Sequence, residues 1–299
     1  MRIPVLYIFA ISHYCEKARW ALDHLGIRYE IRHLAPGWHV AVARSLGASR
    51  SSVPLLVLQD GTLVQGSARI IDWAEAHRPD PARSLGIAAD PGGDTGAGVE
   101  AEAEAGAGAG SPAAIERRLD AVLGTQIRRY FYSEALVEYP QTVRPLFTED
   151  LSPAGALAFH AIWPVLRRMM IRGMDLGPRQ RLEARQIIEA ELDWLDARLA
   201  DGRPFVAGAR FSRLDIAAAS LLAPLVLPPG HPTYGRITLP PQSARDAGAW
   251  ADRRAMIWCA AIYDRCRNTG AAQRDGHGDK NGDKNGDKNG DTHGNKRDP

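Results

Sequence analysis

Ser12-His13-Tyr14-Cys15 stands at the end of an apolar run, Ile3 to Ile11, and opens the amphipathic stretch Glu16-Lys17-Ala18-Arg19-Trp20-Ala21-Leu22-Asp23-His24-Leu25-Gly26. The switch from apolar run to helical periodicity predicts a strand over Ile3–Ala10, then a helix over about 13–25. Gly26 falls where such a helix ends. Ser12 is thus delivered to a helix N-terminus, where unpaired backbone N–H groups and the positive end of the dipole favour an anion. A hydroxyl there either caps the helix or holds a thiolate.

Working outward, residues 1–78 alternate strand and helix. Tyr29–His33 reads as a second strand, Val40–Leu46 as a short helix, and Val53-Pro54-Leu55-Leu56-Val57-Leu58 as a strand that starts on a proline. Asp60-Gly61 is a hairpin signal that returns the chain through Leu63-Val64-Gln65. Ser67 is read as the cap of a helix running to about His77. The order β-α-β-α-β-β-α predicts a small α/β domain.

Residues 79–111 are rich in Pro, Gly and Ala and read as a flexible linker. Residues 112–267 carry Ile115, Leu119, Val122, Leu123, Ile127, Tyr130 and Phe131 at helical spacing, and so does the run Leu182 to Leu199. Prolines, Pro164 and others, punctuate the helices. Ser212-Arg213-Leu214-Asp215 has the form of a capping box before an apolar run. Trp250–Arg267 reads as one final amphipathic helix. Residues 268–299 repeat Asp-Lys-Asn-Gly and have no apolar anchor, so a disordered tail is expected. The run from Asn281 to Gly286 imitates half of a calcium loop, but Thr292 stands where the bidentate glutamate belongs, so no metal is expected.

Composition narrows the function. The chain has 299 residues, is 45% hydrophobic and 24% charged, and carries a net charge of +2. That balance excludes a broad nucleic-acid footprint. No apolar run reaches membrane-spanning length, so no membrane partner is expected. Three cysteines form no disulfide framework, and the N-terminus does not read as a secretion signal. A cytoplasmic location follows as the expectation.

Four motifs, in order, resemble the cytosolic glutathione S-transferases of the serine/cysteine type, with a bacterial character. Ser12-x-x-Cys15-x-Lys17-x-Arg19-Trp20-Ala21-Leu22 resembles their first strand–helix junction. Val53-Pro54 resembles the Val-Pro dipeptide whose proline is cis. Gly66-Ser67-x-x-Ile70 resembles the step that opens their third helix, and Phe211-Ser212-x-x-Asp215-Ile216 resembles the capping box and hydrophobic staple of their helical domain. The likeness is close over 3–78 and looser over 112–267. It implies a thioredoxin-like α/β N-terminal domain, an all-α C-terminal domain, glutathione as co-substrate in the cleft between them, a small hydrophobic electrophile as acceptor, and a homodimer.

The resemblance also assigns roles. Ser12 takes the position of the hydroxyl that activates the thiol, and Val53 offers its backbone to the cysteinyl unit like an added strand, turned by Pro54. Ser67 holds the γ-glutamyl carboxylate. Cys15 reads as a small packed hydrophobe. Tyr7, the rival activator, lies five residues before the helix and is worse placed than Ser12. Tyr14 either lines the acceptor pocket or covers the helix surface. Trp163, Met169, Met170 and Met174 are candidates for the same pocket, with core packing as the alternative.

Two departures stand out. Gly66 replaces an acidic or amide side chain that would pair the γ-glutamyl amine, and Ser52 replaces a lysine that would reach the glycyl carboxylate. His39 or Arg50 is the replacement cation open to this sequence. Each missing charged contact costs roughly 1–3 kcal/mol of binding. The pairs Arg117-Arg118, Arg128-Arg129 and Arg167-Arg168 read as solvated helix faces. Conjugation of glutathione is therefore the leading expectation. Thiol exchange or peroxide reduction, and a noncatalytic binding module, are its alternatives.

Overall fold

The computed structural model describes residues 3–86, 110–148 and 151–267. The low-complexity tail and most of the Gly/Ala-rich segment, including the Asn281–Gly286 run, lie outside the described residues.

The first domain runs β1 (Val5–Ile8), α1 (His13–His24), β2 (Glu30–His33), α2 (Trp38–Ser45), β3 (Leu55–Val57), β4 (Leu63–Gln65) and α3 (Ser67–Ala76). The sheet order is β2-β1-β3-β4. β1 pairs parallel with β2, and β3 lies antiparallel to both β1 and β4. Alternation along β1 buries Leu6 and Ile8 and leaves Val5 and Tyr7 half-buried. Tyr7 meets Arg32, whose guanidinium lies 5.8 Å from its ring centroid, so it stands apart from the helix N-terminus.

Three local readings need correction. Gly66, at φ 95°, is the N-cap of α3, and Ser67 is its first helical residue. The chain enters this helix through a left-handed turn that glycine takes without strain. The segment expected to be a flexible linker is fixed over its first residues. Pro81–Arg83 form a 3-10 turn, and Leu85 is buried, its N–H held by Glu75 and its C=O by Arg213 N–H at 3.1 Å. The expected helix Trp250–Arg267 is interrupted. Asp196 accepts Ala255 N–H at 2.7 Å and pairs with Arg253 at 2.8 Å, so a side chain from another helix caps a fresh helix start there.

The second domain comprises α4 (Pro112–Arg118), a π-helical segment Leu119–Gly124, α5 (Thr125–Ala135), α6 (Pro153–Gly173), α7 (Pro178–Arg198), α8 (Arg213–Val226), α9 (Pro241–Trp250) and α10 (Arg254–Ile262), closing on a π-helical turn Tyr263–Arg267. Ser111 caps α4 and Ser152 caps α6, each ahead of a proline that needs no donor. At α8 the carboxylate of Asp215 accepts Ser212 N–H and Val206 N–H, so the predicted box is made. Pro164 and Pro224 sit inside α6 and α8 instead of ending them. Each removes one ladder bond, which neighbouring turns tolerate when tertiary packing fixes the helix. No described helix is long and apolar enough to cross a membrane.

One continuous core joins the domains, because α1 packs against α3 on one side and α8 on the other. The seam is also tied by charge. The buried Lys17 ammonium meets Glu116 at 2.8 Å and Asp120 at 2.7 Å. Arg267, at the end of the helical domain, meets Glu16 at 2.6 Å and Asp23 at 2.9 Å. His13 donates Nε2–H to Gly124 C=O at 3.1 Å. A Cβ on Gly124 would lie 2.6 Å from Tyr14 Oη, so this glycine is required by closeness, not by its helical backbone angles.

Candidate functional site

α1 begins at Ser12 because Ser12 is extended and its Oγ accepts Cys15 N–H at 3.3 Å. Tyr234 and Thr233, from the helical domain, donate their hydroxyls to the carbonyls of Ile11 (2.7 Å) and Ala10 (3.0 Å). The approach to Ser12 is therefore held from both domains.

Ser12 opens onto a cavity of about 510 Å³ between the domains. On the sheet side the walls are Phe9, Ile11, His39, Ser51, Ser52 and Val53. The facing walls are Ile127, Arg128, Phe131 and Tyr132 of α5 and Leu166, Met169, Met170 and Met174 at the C-terminal end of α6. Tyr14 lines it too, while its hydroxyl donates to Asp120 C=O at 2.6 Å. The three methionines join the wall. Trp163 packs instead against Phe147 and Phe159 in the core.

Val53-Pro54 is a cis peptide, and among the described residues neither the N–H nor the C=O of Val53 has a hydrogen-bond partner. Pro54 lies behind the wall and accepts Gly66 N–H at 3.0 Å, which links the start of α3 to this bend. Ser67 is buried at the first turn of α3, and its hydroxyl has no partner among the described residues. Pro54, Gly66 and Ser67 are not among the residues lining the cavity, whereas Ser12, His39, Ser52 and Val53 line it together.

The charges differ from expectation on this wall. His39 Nδ1 accepts Gly37 N–H at 3.1 Å, its ring abuts Phe9, and burial lowers its pKa. It is a neutral donor near pH 7, not the replacement cation. Arg50 is exposed and outside the lining. Gln65 spends its amide on the neighbouring loop, donating to the carbonyls of Arg50 (2.7 Å) and Ser52 (3.0 Å), so Gly66 is not compensated by it.

Cys15 is buried, and burial pushes its thiol up to about 11, even with Ser12 hydrogen-bonding to lower it. It stays protonated and inaccessible. Cys259 is buried on Ala219 C=O, and Cys266 is half-buried. His13 is pulled down to about 3, first by burial and then by the charge of Arg128.

The arginine pairs also resolve unequally. Arg118 makes a bidentate pair with Glu191 over the Trp194 ring, Arg129 pairs with Asp175 and Glu183, and Arg167 donates to the carbonyls of Leu136 and Val137. Arg128 alone of these lines the cavity. Ile127 and Phe131 beside it line the same cavity.

The comparisons agree with this architecture. The family "Glutathione S-transferase, N-terminal domain" matches residues 6–82, and "Glutathione S-transferase, C-terminal domain" matches residues 178–253. No curated protein sequence matches the chain. Among solved structures, a glutathione transferase from Phanerochaete chrysosporium aligns over 89% of this chain and 99% of its own, at 16% identity and a TM-score of 0.53. A glutathione S-transferase of Ceriporiopsis subvermispora in complex with glutathione aligns over 88% and 97%, at 16% identity and a TM-score of 0.52. At such identity these structures speak for the fold alone. The two family matches fall on the α/β domain and on the helical domain and together span just over half of the chain; the chain belongs to the glutathione S-transferase family.

Proposed function

We propose that this protein binds glutathione along Val53 and Ser67 and transfers its thiolate to a small hydrophobic electrophile held by the walls of α5 and α6. One observation carries the reading. The Ser12 hydroxyl caps the N-terminus of α1, where its oxygen accepts Cys15 N–H, and it lines an apolar cavity in which it can turn its proton toward a bound sulfur. A free thiol has a pKa of about 8.5 and is only a few per cent ionised near pH 7. A hydroxyl donor at a helix N-terminus favours the charged sulfur. In the reaction the thiol proton leaves to solvent, the sulfur lone pair bonds to the electrophilic carbon, and a leaving group departs with its electron pair. Holding sulfur and carbon together in the cleft supplies much of the rate.

Peptide binding is supported by the two backbone groups of Val53 and the Ser67 hydroxyl, which have no hydrogen-bond partner among the described residues. Cys15 takes no part, since it is buried and protonated. Thiol exchange or peroxide reduction would have to run on the sulfur of glutathione itself. A noncatalytic binding module is favoured by Gly66 and by the committed Gln65 amide, which leave the γ-glutamyl amine without a side-chain partner. We further propose a homodimer in a reducing cytoplasm, to be checked by sedimentation.

Retention on immobilised glutathione and a rise in melting temperature with glutathione test binding, since any ligand of the folded state raises its stability. With binding in hand, Ser12→Ala is expected to lower conjugation about 10- to 100-fold while changing glutathione affinity only a few-fold. Retention with no conjugation in the wild type would favour the binding module.

A further inference from the structure

Of the residues lining the cavity, none is Asp, Glu or Lys. Its two histidines are held neutral near pH 7, both by burial, with the charge of Arg128 adding to burial at His13. Arg128 is thus the one formal charge that the described residues bring to this wall. It lies one helical turn beyond Gly124, whose carbonyl receives His13, so the guanidinium stands near the start of α1. Among the described residues it has no hydrogen bond or ion pair, although its neighbour Arg129 has two carboxylate partners. An unpaired cation facing an apolar cleft is a recognition element. Low-dielectric walls strengthen its field, and its planar fork matches a carboxylate or sulfonate.

We infer that Arg128 selects the acceptor, and that the electrophile this cavity takes is an apolar, aromatic-sized molecule carrying an anionic group. Arg128 shares its wall with Ile127, Phe131 and the methionines of α6, across from Val53 and Ser52. An apolar body against those side chains would set its anion on the guanidinium. The inference rests on reading this cavity as the acceptor site, but its test does not depend on glutathione chemistry.

The test uses the full chain and a matched pair of fluorescent probes, 1-anilinonaphthalene-8-sulfonate and N-phenyl-1-naphthylamine. They share an aromatic skeleton and differ in the sulfonate. Each is titrated with and without saturating glutathione, against wild type, Arg128→Gln and Arg128→Lys. Arg128 is exposed, so neither variant endangers folding. Arg128→Gln is expected to weaken the sulfonate about tenfold and the neutral probe less than about twofold, with Arg128→Lys recovering part of the loss. Equal losses for both probes, or an unchanged sulfonate affinity, would overturn the inference. So would Arg128→Gln weakening glutathione while sparing the sulfonate, because Arg128 would then belong to the peptide site. The probe pattern without any glutathione binding would uphold Arg128 and overturn the proposed function instead.

Discussion

Each residue at this site is defined by which of its hydrogen-bonding sides is already used. Ser12 accepts Cys15 N–H at the start of α1 and lines the cavity. His39 has Nδ1 filled by Gly37 N–H. Cys15 has been taken out of water altogether. His13 shows the same logic as a stability term. Its pKa in the fold is about 3 against 6.5 unfolded, so in between only the unfolded chain binds the proton. The stability it contributes is whole above pH 6.5 and is lost as pH falls toward 3, by up to about 1.4 kcal/mol per unit. His231, buried and lowered to about 4 while accepting Thr233 N–H and Tyr234 N–H, adds a second such slope. Asp215, raised by burial to about 6, runs the other way and offsets one histidine between pH 6 and 4. His13→Gln keeps an amide donor for Gly124 without the titration. Urea unfolding at a series of pH values should therefore show it losing the His13 share of the acid slope. The place of Ser12 at a helix start was legible in the sequence because a strand-to-helix switch is a local signal, whereas the neutrality of His39 comes from burial that no local signal carries. Arg128 was not legible either, since in an Arg-Arg pair on a helix only the packed tertiary structure decides which one faces the cleft.

Between elements, the seam of α1 with α4, the π-helical segment and α8 sets the shape of the cavity. Gly124→Ala tests it. In an exposed helix this change would add up to about 1 kcal/mol of stability. Here the new methyl would meet Tyr14 Oη and Leu221 at under 3 Å, so the expected outcome is net destabilisation. The lining at Tyr14 would shift with it, read as a lower melting temperature and altered probe binding. Lys17→Met removes the shared cation of Glu116 and Asp120, Glu116 keeping Arg213 at 2.8 Å, and should cost about 1–3 kcal/mol in urea unfolding. At this scale the sequence was readable wherever a helix carries its own start signal. Ser12 and Ser212 each mark one. It failed where another element supplies the signal, as Asp196 does for α10, and where packing overrides a breaker, as at Pro164 and Pro224.

At the scale of the molecule, two domains with different secondary structure share one core. The end of the helical domain returns to α1 through Arg267, which is buried against Glu16 and Asp23. They are therefore expected to unfold together, with calorimetric and van't Hoff enthalpies equal; two resolved transitions would separate them. Arg267→Ala, which strands a buried Glu16, should lower that single transition by about 3–5 kcal/mol. The same union holds Ser12 in place, because Tyr234 and Thr233 reach across to the carbonyls just before it. The central claim is that this assembly stabilises a thiolate on bound glutathione through the Ser12 hydroxyl. Its most direct test is the thiol pKa of bound glutathione, followed by thiolate absorbance against pH in wild type, Ser12→Thr and Ser12→Ala. A charge-assisted hydrogen bond worth about 1.5–3 kcal/mol predicts a fall of roughly one to two units below 8.5 in the wild type. The fall should be largely kept in Ser12→Thr and lost in Ser12→Ala, whereas equal pKa values in wild type and Ser12→Ala would contradict the account.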